Sequence, residues 1–140
     1  MAVPVIRQSF TSPHIRLGEP WKVYLNASDP DGDMQTIVCT LEQPGVGVYP
    51  ASFTKIPVGA QKNLSGYVYL NTSGMQGLNF IKLVLTVQIQ DKDGNYSTPV
   101  SFPITFDPRS RQEGPTPGVF QENDLGPIMI TLTSEAGGCG

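Results

Sequence analysis

Phe80-Ile81-Lys82-Leu83-Val84-Leu85-Thr86-Val87-Gln88-Ile89-Gln90 runs into Asp91-Lys92-Asp93-Gly94-Asn95. Ile81, Leu83, Leu85, Val87 and Ile89 share one face of an extended chain, and Lys82, Val84, Thr86, Gln88 and Gln90 share the other. Strict period-two alternation predicts a strand with one buried face. The Asp- and Gly-bearing stretch then turns the chain. Val100, Phe102, Ile104 and Phe106 alternate in the same way beyond it. These two runs form a hairpin expected at the centre of the core.

The rest of the chain repeats this pattern at shorter length. Residues 3–10 predict a first strand, and Pro4 places it at an edge. Ser12-Pro13 breaks it, and His14 to Leu17 predicts a short continuation. Trp21, Val23, Leu25 and Ala27 share a face, with Trp21 as a core anchor. Met34 to Leu41 predicts a strand that buries Ile37, Cys39 and Leu41. A short irregular edge strand is expected near 51–56, and a cleaner one at 65–71. No segment holds a 3.6-residue apolar period with caps. The fold class is all-β, expected as an antiparallel β-sandwich of short strands.

The character changes after Phe106. Residues 107–126 are polar, Pro- and Gly-bearing and aperiodic. Ile128, Ile130 and Leu132 then alternate, predicting a strand over 128–133 before a Gly-rich end. The expected organisation is a sandwich at 1–106, an extended linker or loop at 107–127, and a C-terminal strand and tail at 128–140. The last strand either returns to its own sheet, the favoured expectation, or adds to the sheet of another module or a second copy.

Composition narrows the function classes. Charged residues make up 15% of the chain, and the net charge of -3 leaves no clustered basic excess for nucleic acid. No stretch approaches the length of a membrane span, so no direct membrane insertion is expected. Met1 to Arg7 lacks the basic start and apolar core of a secretory leader. Either the protein is kept inside the cell or its leader has been removed. Cys39 reads as a small buried hydrophobe. A bridge to Cys139 is disfavoured because the Gly-rich tail does not supply fixed geometry.

The sequence offers little catalytic chemistry. His14 is the one histidine, it sits among prolines, and no nucleophile motif surrounds it. No phosphate-binding loop or GxSxG motif occurs. The expectation is a non-enzyme with no catalytic residues. The oxygen-rich turns are the better candidates. Asp29, Asp31 and Asp33 place three carboxylates around a Gly, and Asp91, Asp93 and Asn95 repeat the pattern. Hard oxygen donors bunched on a turn suit Ca²⁺. Asp, Gly and Asn are also turn formers with no ion at all. The first turn is the preferred metal candidate, the second the weaker one. Asn26, Asn63, Asn71 and Asn95 each begin an Asn-x-Ser sequon.

Gly18-Glu19-Pro20, the following strand, and Ala27-Ser28-Asp29-Pro30-Asp31-Gly32-Asp33 together resemble bacterial extracellular immunoglobulin-like modules. The similarity is to the cadherin-like and polycystic-kidney-disease types. Val87 to Val100 resembles their final hairpin. The chain lacks the Trp-Asp-Phe-Gly-Asp-Gly stretch of the latter type and the Asp-Asn linker motif of the former. Gly137-Gly138-Cys139 resembles Cys-containing ends of secreted surface proteins. The resemblance implies an immunoglobulin-like antiparallel β-sandwich of about seven strands plus an extra C-terminal strand, and an extracellular or cell-surface location. The implied role is a structural or adhesive module of a bacterial surface or secreted assembly, stiffened by calcium and joined to other modules or copies of itself. One alternative is a phage or virion decoration or tail-fibre domain. Another is a carbohydrate-binding module that uses Tyr24, Tyr67 and Tyr69.

Overall fold

A computed structural model of the chain describes residues 3–72, 81–110 and 112–130. Among them lie ten strands. They are β1 (Val5–Thr11), β2 (His14–Ile15), β3 (Trp21–Ser28), β4 (Met34–Gln43), β5 (Gly47–Val48), β6 (Ser52–Lys55), β7 (Asn63–Leu70), β8 (Lys82–Asp91), β9 (Val100–Phe106) and β10 (Asp124–Pro127). A short 3-10 turn, Val58–Ala60, joins β6 to β7. The strands build two sheets packed as an open sandwich. The four-stranded sheet runs β1-β3-β7-β10, and the six-stranded sheet runs β2-β9-β8-β4-β5, with β6 also paired to β4.

The opening hairpin behaves as its alternation demands. Leu83, Leu85, Val87 and Ile89 of β8 are buried, and β8 lies between β9 and β4 in the larger sheet. Phe80, its expected first residue, lies outside the described residues. From the facing sheet come Trp21, Val23, Leu25, Leu64, Val68 and Leu70. Each such side chain removed from water contributes roughly 1.5–3 kcal/mol before chain entropy is charged against it. Trp21 packs edge-to-face on Phe106 at 6.4 Å between ring centres. Its Nε1 donates to Thr11 Oγ1 at 2.6 Å, so the one polar atom of the ring is satisfied in a dry interior.

Ser12-Pro13 breaks the first strand because there the chain leaves one sheet for the other. β1 pairs antiparallel with β3, while β2 runs parallel to β9. One open edge of the sandwich is closed by this switch. The other edge is closed by the C-terminal segment, where expectation and structure differ. A strand forms over Asp124–Pro127, inside the stretch expected to be linker, and residues 128–130 of the expected strand are not part of it. It pairs parallel with β7, beginning at Asp124 opposite Tyr67.

Ile128 and Ile130 are buried as their alternation predicts, yet they lie past the end of β10. Residues 131–133 lie outside the described residues. The reason is a change of partner. Ile128 N–H donates to Tyr69 O at 2.7 Å, and Met129 N–H then donates to Ser52 Oγ at 2.8 Å, on the opposite sheet. Thr54 Oγ1 donates to Pro127 O at 2.8 Å. Residues 127–129 therefore bridge the two sheets. The ten strands replace the simpler seven-plus-one arrangement expected from the sequence.

Candidate functional site

The acidic turn between β3 and β4 joins the two sheets. Asp29 N–H donates to Lys62 O at 2.9 Å, and Met34 N–H donates to Gln61 O at 3.1 Å, so the neighbouring connection holds both ends. Within the turn, Gly32 N–H donates to Asp29 O at 2.9 Å, and Gly32 takes φ +68°, a conformation that favours glycine. Asp29 Oδ1 accepts the Asp31 N–H at 3.0 Å. This geometry gathers the three carboxylates, and one oxygen from each of Asp29, Asp31 and Asp33 lies within 4.8 Å of the others.

The burial of these groups is unequal. Asp29 is fully buried, Asp33 half-buried and Asp31 exposed. Asp29 Oδ2 and Asp33 Oδ1 are both shut away from solvent with no hydrogen-bond partner. The adjoining Asp29 carboxyl, then burial, then the charges of Asp29, Asp91 and Asp31, push the Asp33 carboxyl up to about 6. Like charges this close disfavour each other, which is why the Asp33 carboxyl holds its proton more tightly than usual. A metal ion is the other way to bring such oxygens together.

The second acidic turn lies at the same end of the sandwich. Lys92 N–H donates to Asp33 O at 3.0 Å, and Asp91 pairs in register with Met34. Its chemistry differs. Asp91 is buried, and its Oδ1 accepts the N–H groups of Asp93 at 3.0 Å and Asn95 at 2.8 Å. Its Oδ2 accepts Asn95 Nδ2 at 3.2 Å. The Asp91 carboxylate is thus occupied by its own turn, while Asp93 is exposed. Among the described residues, Asp29, Asp31 and Asp33 are the His, Cys, Asp or Glu side chains brought together closely enough for one ion.

Residues 112–123 cross the outer face of the smaller sheet, a role their polarity and lack of period did not suggest. Gln112 Oε1 accepts the Lys22 N–H at 2.9 Å, and Gln112 Nε2 donates to Pro20 O at 2.7 Å. Asn26 Nδ2 donates to Val119 O at 2.7 Å. Phe120 packs on Tyr24 at 5.6 Å, and Tyr24 Oη donates to both Glu122 oxygens at 3.1 Å. Burial and the Glu122 carboxylate push the Tyr24 phenol up to about 12. Ser65 Oγ accepts the Gln121 N–H at 3.0 Å. The one sequence signal for this strap was the isolated apolar pair Val119-Phe120 in a polar stretch.

Two other expectations are affected. Tyr24 is covered, so it is not available with Tyr67 and Tyr69 as an open aromatic platform for a sugar. The Asn26 amide, the first sequon position, is held by Val119 and by Gln8 Oε1. Cys39 is buried in the core, and burial pushes its thiol up to about 12, as suits an inert hydrophobe. Cys139 lies outside the described residues. No helix among the described residues is long and apolar enough to cross a membrane. Comparison with protein-family models, with curated proteins and with solved structures finds no match for the chain.

Proposed function

We propose that the protein is a non-enzymatic structural module of immunoglobulin-like type, working in a bacterial surface or secreted assembly. The observation that carries this reading is the C-terminal segment, which straps the smaller sheet and ties both sheets together through Ser52, Thr54 and Tyr69. Chain spent on bracing a sandwich favours a body that bears load. The strand order supports the immunoglobulin-like assignment. Adjacent β3 and β7 match strands B and E of that fold, and β4-β8-β9 match C, F and G. β10 takes the place beside β7 where strand D would lie, but runs parallel to it.

Contacts with other modules or copies fit the edge of the larger sheet. Val48 and Phe53 are exposed there. They pair in register with Glu42 and Val38, which share one face of β4, so both point outward on one side. On this reading, these two exposed apolar side chains are where an adhesive contact would form. A calcium ion at the Asp29–Asp33 turn belongs to the same reading and fits an extracellular setting, where such ions are plentiful.

Fractionation of the source cells with an antibody to this chain tests the proposal. Signal at the envelope or in the medium is expected. Signal confined to the cell interior would overturn the location, and signal on released phage particles would select the virion alternative.

A further inference from the structure

Asp29 presents a problem that its own turn does not solve. The side chain is fully buried, Oδ1 has the Asp31 N–H, and Oδ2 has no partner. Asp33 Oδ1 is also shut away without one. Leaving ionised oxygens unpaired in a water-poor site is among the costliest arrangements a protein can hold. A carboxylate elsewhere in the same end of the sandwich shows the usual remedy, because Asp91 fills its oxygens with the amides of its own turn. Asp29 does not, and its unpartnered oxygen belongs to the side chain grouped with Asp31 and Asp33.

The spacing suits one ion. Oxygens that each bind the same Ca²⁺ at about 2.4 Å stand at most about 4.8 Å apart. The three candidate oxygens lie within 4.8 Å of one another. The donor set is all hard oxygen, with no sulfur or imidazole, which disfavours zinc and copper. Asp29 also forms part of the wall of a hollow of about 270 Å³ with Arg7, Ser28, Pro30, Lys62 and Asn63, which offers room beside the turn.

We propose that Asp29, Asp31 and Asp33 bind a single calcium ion that clasps the two sheets together, with water completing the coordination. Asp29 follows β3 of the smaller sheet, and Asp33 precedes β4 of the larger one. The ion spans that crossover. Through Lys92 N–H on Asp33 O, it also steadies the turn after β8. The clasp deepens the structural-module reading and rests on it for its purpose, though its chemistry stands alone.

The test uses the full chain, stripped of metal with a chelator and titrated with CaCl₂ and separately with MgCl₂ by calorimetry. One saturable Ca²⁺ site is expected, with a Kd on the order of 10⁻⁴ M, as for other extracellular modules. At about 10 mM Ca²⁺ the folded-to-unfolded ratio should rise about a hundredfold. Asp31→Asn, at an exposed position, and Asp33→Asn should each weaken binding about tenfold or more, since ligand charge sets affinity. Asp93→Asn should bind as the parent does. The Asp33→Asn protein should melt no lower than the chelated parent, because it loses a repulsive charge and not a packing contact.

Absence of saturable heat, or parent-like binding by both Asn variants, would overturn the clasp. Equal affinity for Mg²⁺ would overturn the assignment to calcium. Neither result touches the structural-module reading, which stands or falls on where the protein is found.

Discussion

Gly66 and Asn123 share a space with no room for a side chain. A methyl group at Gly66 would overlap the Asn123 carbonyl oxygen and stand 3.0 Å from both Asn123 Cβ and Leu125 Cγ. Because nothing intervenes, Tyr67 N–H reaches Asn123 O at 2.9 Å. Glycine inside a strand normally costs stability, so its presence in β7 marks the close approach of another backbone. The approaching backbone is the strap on its way into β10.

Gly66→Ala should destabilise the protein by about 1–3 kcal/mol, the usual penalty for forcing a methyl into filled space. Amide exchange gives the finer check. Protection at Tyr67 and Ile128, whose N–H groups bond Asn123 and Tyr69, should fall, while the β4–β8 ladder keeps its protection. Unchanged stability would mean that the strap is not seated on β7.

Ile128→Ala tests whether the tail belongs to the core. Its side chain is 4% exposed and packs in the main cluster. Truncation should cost about 2–5 kcal/mol in urea denaturation. A cost under about 0.5 kcal/mol, typical of surface positions, would return residues beyond Phe106 to the status of a loose linker.

Thr11→Val keeps the shape of the side chain and removes the acceptor for Trp21 Nε1. It also removes the donor to Lys22 O at 3.0 Å. A buried indole N–H left unpaired should cost about 1–3 kcal/mol. Tryptophan fluorescence monitors the same site, and a variant as stable as the parent would show that water replaces the hydroxyl.

Cys39 should resist thiol reagents in the native protein. Burial holds the thiol up at about 12, so almost no thiolate exists at neutral pH. In a Cys139→Ser background, a colorimetric thiol assay should read no reaction until denaturant unfolds the chain. Prompt native-state reaction would contradict the burial of β4.

Asp107 gives a signed pH dependence at the start of the strap. The Arg109 backbone N–H, at 2.9 Å from Oδ1, holds its carboxyl below the ordinary value, with burial opposing and Ser110 and the Arg109 side chain assisting. The Arg109 ion pair at 3.4 Å is a minor part, because that side chain is 79% exposed. A depressed folded value means stability that is present above the unfolded value, about 3.9, and is lost as pH falls through the folded one. Asp107→Asn should therefore be less stable than the parent near neutrality, and the gap should close in acid. A gap that persists in acid strong enough to protonate the carboxyl in both states would rule out the carboxylate as its source.

The strands were readable where each had one buried face. The alternation of Leu83, Leu85, Val87 and Ile89, and that of Trp21, Val23, Leu25 and Ala27, states which side chains leave water, and packing enforces that pattern. The acidic turn was readable as a cluster because its residues are neighbours in the chain. Its distinction from the Asp91 turn was not, since both stretches have the same donor types at similar spacing. Only the fold shows that the Asp91 carboxylate is filled by Asp93 and Asn95, while Asp29 keeps an oxygen unpartnered.

The strap was the least legible part. Gln112, Val119, Glu122 and Asn123 act through side-chain and carbonyl bonds to Lys22, Asn26, Tyr24 and Ser65. Such bonds leave no period in a sequence, and residues 58–98 positions apart make them.

By itself the sequence determined the strands up to β9 apart from β5, their buried faces and the two oxygen-rich turns, because local alternation and turn chemistry depend on near neighbours. Tertiary structure decided where the C-terminal segment goes, that the two turns share one end, and which carboxylate lacks a partner. Those outcomes depend on what distant residues leave empty, as Gly66 does for Asn123.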